Sequence, residues 1–256
     1  MKRNLCAWLL LLLCFTFPIE LMAGDNVSVA DVLFHQGGIK NFKRVIEIYL
    51  QALAVTPDDY ATNWKLSRAY REYGEAAKRN NRKDWKNICA TYGKEGMKFA
   101  QKAITLEPEK PEGHYYYGLN AGIYADGVSI LTALREGLKN ITQSSFEKAY
   151  VLDKMYDKAG PILSLGRFWA VLPWPFRNTK KALRFYREYQ ETEYFDTNAE
   201  AQIYVAELLL RLKGKKNRQE ATLLLKKASQ SDIQYFSDWA KRLLGNMQKR
   251  AAQKLP

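Results

Sequence analysis

Apolar and small residues return along this chain at helical spacing, and the helical segments alternate between two kinds. The clearest example of one kind runs from Glu95 to Pro108. Gly96 and Ala103 are small enough to let a neighbouring helix approach, and Phe99 and Leu106 fill the gaps between them. Pro108 stops the helix because it has no backbone N–H to donate. The same spacing returns less sharply at Val45, Tyr49, Ala52 and Pro57, at Phe146, Ala149 and Leu152, at Ala182 and Tyr186, and at Ala221, Leu225 and Ala228. The partner segments are Trp64 to Tyr70 followed by Gly74, Tyr115 to Gly118, Leu165 to Trp169, and Ile203 to Leu209. A helix pair with one apolar face cannot bury it alone, so serial copies predict stacking. The expected fold is therefore all-α, an α-solenoid of helix pairs. A helix from Val27 to His35 should open it, and a capping helix over about residues 234–250 should close it by burying Phe236, Trp239 and Leu243.

The alternation matches the tetratricopeptide repeat, whose unit is about 34 residues. Two units here are longer. The extra residues of the second fall across Ala76 to Tyr92 and are polar and basic; those of the third lie around Gly127 to Lys139 and read as a short apolar helix, Val128 to Leu134. The fourth unit adds a loop through Pro173-Trp174-Pro175-Phe176. Such insertions either mark the binding edge of a solenoid or simply lengthen its helices, and the sequence leaves both open.

Lys2 and Arg3 precede an apolar run from Ala7 to Phe17. That run is shorter than the ~20 residues of a membrane span and fits a secretory signal. Residues 1–23 are expected to be the signal and 24–256 one solenoid domain. Export to a periplasm follows, with an uncleaved signal as the membrane-associated alternative. Cys89 is then the one mature cysteine, expected to be a small buried apolar residue. The formal charge of +13 falls to about +12 without the signal and favours acidic partners. Export argues against nucleic acid. His35 and His114 lie far apart, and no metal-ligand, Cys-x-x-Cys or phosphate-loop motif is present. No enzyme, metal or cofactor is expected. Gly118 and Gly122 read as close helix packing.

Several blocks together resemble a known family. They are Leu66 to Gly74, Gly96 to Pro108, Glu112 to Asn120, Leu165 to Pro173 and Lys180 to Leu183, within roughly residues 26–232. In these the chain resembles the T component associated with tripartite ATP-independent periplasmic (TRAP) transporters, the TatT-type tetratricopeptide proteins. That resemblance implies a periplasmic accessory protein that assembles as a trimer and docks the transporter's solute-binding protein. It also implies room for a hydrophobic ligand. The chain departs from the family at its lipid-attachment signal, since Cys14 follows Leu13, and at the Pro173–Phe176 loop, where relatives favour glycine.

In such arrays the first helix of each pair lines the concave face. Its inward stripe selects Trp64, Arg68 and Arg71, then Tyr115 and Leu119, then Arg167, then Glu207 and Arg211, with Trp174 closing the groove from its loop. Aromatic walls with inward arginines suit an organic acid or an acidic segment of a partner, because guanidinium pairs with carboxylate through two parallel hydrogen bonds. The alternative is that Trp64 and Tyr115 are core and that the arginines pair with Glu72 or Glu207. Two functions remain: a transport-accessory protein holding an acidic or hydrophobic ligand, or a protein-interaction scaffold of the cell envelope.

Overall fold

The computed structural model describes residues 19–252, with side chains over 27–249. The expected signal lies outside the described residues up to residue 18, and residues 19–23 run into the first helix. Helices follow one another as α1 (Ile19–Gln36), α2 (Ile39–Val55), α3 (Tyr60–Arg79), α4 (Trp85–Leu106), α5 (Pro111–Gly127), α6 (Ile130–Arg135), α7 (Leu138–Asp153), α8 (Tyr156–Val171), α9 (Thr179–Gln190), α10 (Ala199–Leu212), α11 (Lys215–Ala228) and α12 (Gln234–Ala252). No strand occurs among the described residues. The order is that of an α-solenoid. Pairs α1/α2, α3/α4, α5/α7, α8/α9 and α10/α11 stack in sequence, and α12 caps the last.

Local chemistry sets the helix ends. Asp59 accepts from Thr62 N at 2.7 Å at the start of α3, and Asn178 and Asn198 cap α9 and α10 in the same way. Pro111 opens α5 at a position where a missing N–H costs nothing. Gly38, Gly137 and Gly214 precede α2, α7 and α11 with φ of 91°, 69° and 88°, values that only glycine reaches cheaply. The start of α8 is different. Asp157, Lys158 and Ala159 sit in succession at left-handed φ of 47°, 59° and 59°, so regular helix begins only around Gly160 and Pro161.

The long second unit resolves into longer helices. α3 continues to Arg79, α4 starts at Trp85, and the polar insertion is mostly helix. Its apolar side packs through Tyr73 and Tyr92, whose rings lie 4.6 Å apart, while Tyr70 stacks on Phe99 at 5.8 Å. The third insertion is the short helix α6, close to where the apolar pattern placed it.

The apolar core has two lobes, one over α1 to α4 and one over α5 to α12. A small polar clamp joins elements of both. Ser67 Oγ donates to Gly96 O at 2.8 Å, and Asn120 Nδ2 donates to Ser67 O and Tyr116 O, each at 2.9 Å. Gly96 faces the Asn120 amide so closely that a Cβ there would collide with it. Gly118 likewise faces Phe146, 2.7 Å from where its Cβ would be. Gly122 is the exception to the expected packing role: it has open space around it, because it faces a cavity.

These two environments give opposite expectations. Gly96→Ala should cost about 1–3 kcal/mol by overpacking the clamp. Gly122→Ala should be neutral or stabilising by up to about 1 kcal/mol through helix propensity. Urea unfolding of both variants measures the contrast, and equal effects would contradict the assignment of the two glycines.

Candidate functional site

The concave side of the stack holds a half-open cavity of about 780 Å³. It is wide enough to be read as a site because the array curls. α3 from the second pair meets α10 and α12 from the far end: Arg79 Nη2 lies 3.9 Å from Glu200 Oε1, and its guanidinium lies 5.3 Å from the Phe236 ring and 6.0 Å from that of Tyr235. A partly exposed ion pair of this kind is worth little alone, and the cation–π contacts add about 0.5–1 kcal/mol each. Together they link α3 to α10 and α12 by side chains.

The cavity has two chemically distinct ends. The inner end is charged, carrying Arg71, Glu75, Lys78, Arg79, Arg167 and Glu200. Each cation there has a carboxylate partner: Arg71 with Glu72, Lys78 with Glu75 and Asp126, Arg79 with Glu200, and Arg167 with Glu207 at 2.9 Å. The outer end is mainly apolar, lined by Ile130, Leu134, Leu163, Phe168, Val171 and Leu172, with Lys139 and Arg177 at its edge. Tyr204 joins the charged end, with the Arg167 guanidinium 4.1 Å from its ring and its hydroxyl donating to Glu200 at 2.7 Å.

Burial pushes the Glu75 carboxyl up, but Arg71, Lys78 and Arg79 more than offset this and hold it below its ordinary value. Burial works against the charge on Arg71, yet Glu72, Glu75 and Glu200 keep its guanidinium firmly protonated. Glu75 and Arg71 are thus both held in their charged forms, within a set of four cations paired to carboxylates that an incoming anion would have to displace or bridge.

Four of the residues selected from sequence meet here: Arg71, Tyr115, Leu119 and Arg167. The others do not line the cavity. Trp64 stacks parallel on Tyr116 at 5.9 Å, and Arg68 is sandwiched between Trp64 at 5.1 Å and Phe34 of α1 at 3.8 Å. α1 therefore covers the stretch of groove where a ligand was expected. Arg68 Nε is buried without a hydrogen-bond partner, its charge being balanced by the rings and by Asp31 at 4.0 Å. Glu207 is occupied by Arg167, as the alternative reading required, and Arg211 Nη1 donates to Ala170 O at 2.6 Å, tying α10 to α8. Trp174 is a correction. Its loop reaches the cavity through Leu172 and Pro173, while the indole is 87% exposed and points to solvent.

The inward residues missed from sequence are chiefly Glu75, Lys78 and Arg79. They continue the stripe of Arg71 at helical spacing, so the signal was present once α3 was known to extend beyond the usual first helix. Tyr235 and Trp239 arrive from α12 only because the array curls, and nothing local announces that. His114 is structural, with Nε2 2.8 Å from Pro108 O. Cys89 is buried, and burial pushes its thiol up to about 12.

The family described as regulator of microtubule dynamics protein 1-3 matches residues 27–242. The chain belongs to that family. No curated protein matches the chain in sequence. Among solved structures it is similar to TTC0263, a tetratricopeptide protein of Thermus thermophilus, with 15% identity and a TM-score of 0.63 over 87% of this chain and 99% of that one. It is also similar to MamA, at 16% identity and a TM-score of 0.49 over 86% and 94% of the two chains. The fold argument rests on the first of these, which shares the helix-pair architecture seen here.

The ionised inner end has a pH signature. Glu75 has a lowered value in the folded chain, so its contribution is complete above the unfolded value of about 4.5 and is lost as pH falls through the folded value. Thermal unfolding followed from pH 6 to pH 3 (about one unit per step) should show a falling midpoint. In Glu75→Gln part of that fall should be missing, and parallel curves would remove Glu75 from the account.

Proposed function

We propose that this chain is a protein-interaction scaffold whose cavity takes an extended, acidic and partly apolar segment of a partner. The observation that carries the reading is the division of one cavity into an arginine-rich inner end and an apolar outer end. An acidic group would sit against Arg71 and Arg167, whose forked donors match a carboxylate, and an apolar side chain would fill the space between α6 and α8. The family's description as regulators of microtubule dynamics is in keeping with action through binding. The formal charge of +13 draws acidic partners toward the groove.

The size of the cavity also suits a small ligand, which is the one point of contact with a second reading. A cavity of about 780 Å³ lies within the roughly 300–1,000 Å³ range of small-molecule sites. In that reading the chain is a periplasmic accessory of a TRAP-type transporter, assembled as a trimer. It would dock the solute-binding protein and hold an organic acid or hydrophobic ligand.

Native mass spectrometry of protein purified from its source separates the two. A co-purifying small molecule supports the transport reading, and an empty cavity that captures an acidic peptide supports the scaffold. Arg71→Gln should weaken binding of an acidic peptide by about 1.5–3 kcal/mol, roughly ten- to hundredfold. Titration calorimetry reads this directly, and unchanged affinity in a folded variant would reject the cavity as the binding site.

A further inference from the structure

Among the described residues, six of the sixteen exposed large apolar side chains fall in two short segments, α6 and the end of α8 with the loop that follows it, so exposure is concentrated there. Ile130 and Leu131 are each 66% exposed, Leu134 44%, Val171 48%, Trp174 87% and Phe176 39%. The segments are neighbours: residues of both line the outer end of the cavity, and Lys139, just after α6, lies 5.9 Å from the Phe176 ring. α6 has no buried residue at all. Isolated exposed apolar residues need no explanation, but a cluster around a Trp-bearing loop does.

The charges around this cluster differ from those at the inner end of the cavity. Arg135, Lys139, Arg177, Lys180 and Lys181 surround it, and among the described residues none has a carboxylate partner within 4.0 Å. Lys139 donates only to the amides of Asn140 and Gln143, and Arg177 Nε donates to Leu172 O. Lys181 rests over Trp169 at 4.3 Å. Between residues 171 and 184 there are four basic residues and no acidic one. Glu136 at the end of α6 is the nearby carboxylate and is engaged by Tyr124, so the five cations leave the rim with a net positive charge beside exposed aromatic and aliphatic groups.

We infer that this rim docks on an anionic bilayer surface, with Trp174 and Phe176 seated at the headgroup level and the α6 side chains beside them. Indole is amphipathic and favours the interface, apolar side chains gain from leaving water, and each nearby Lys or Arg is attracted by the negative surface potential. An acidic protein would satisfy the charges but would leave a projecting indole without a dedicated pocket, whereas an interface accepts it in any orientation. The inference goes beyond the proposed contents of the cavity and does not depend on them.

The test is local hydrogen exchange on the full chain. The N-terminal apolar run can hold the protein on any vesicle, so overall binding is not the readout. On vesicles of phosphatidylglycerol with phosphatidylcholine, backbone exchange over 128–136 and 171–178 should slow; on phosphatidylcholine alone it should not. Trp174→Ser, at a site with no packing to lose, should abolish the slowing in both segments. Lys180→Gln should raise the vesicle concentration for half-protection about fivefold. Equal slowing on neutral vesicles would overturn the inference. So would no slowing in either segment, or slowing by an acidic peptide but not by anionic vesicles.

Discussion

The bridge from Arg79 to Glu200, Tyr235 and Phe236 is the contact on which the interior of this molecule depends. Without it the stack would present an open concave face, and the inner cations would lie in water. With it, residues from the second pair, the last pair and the cap face one another across a half-open cavity. The bridge is weak in energy and large in consequence, because it only has to bias a curvature that the packed helices already set. That curvature begins at the Ser67–Gly96–Asn120 clamp, where three helices approach more closely than side chains would normally allow.

Charge is distributed in a way that follows from this geometry. At the inner end every cation is paired, so the site is electrically restrained and selective for a ligand that can replace or share those carboxylates. On the rim, cations have no such partners and stand beside exposed aromatic groups. Burying a charge without a partner is costly, whereas leaving one in water costs nothing, so the two arrangements are each stable where they occur. The result is one molecule with a neutralised interior and an attractive mouth.

The fold was legible in the sequence because helix packing writes a regular code. Gly96, Ala103 and Pro108 occupy positions that only a close-packed helix pair demands, and their serial echoes settled the architecture. α6 was legible for the same reason, as a short apolar run between turn residues. The site was only half legible. Arg71, Tyr115, Leu119 and Arg167 follow from the inward stripe of the first helices, which is a local property. Arg68 lies on the same stripe and is covered by Phe34, while Trp64 stacks on Tyr116, contacts between helices that spacing cannot encode. Trp174 failed because loop direction depends on the turn. Gly122 failed because small residues serve both close packing and open space, and sequence does not distinguish them.

The most direct measurement is the distance between α3 and α12. Spin labels at Asn80 and Gln234, with the native cysteines replaced, flank the Arg79 bridge at its two ends. Electron–electron resonance should give one short, narrow distance, broadened when Arg79 is changed to Ala. A long distance, as expected for an open array with its ends apart, would contradict the shared cavity and the account built on it.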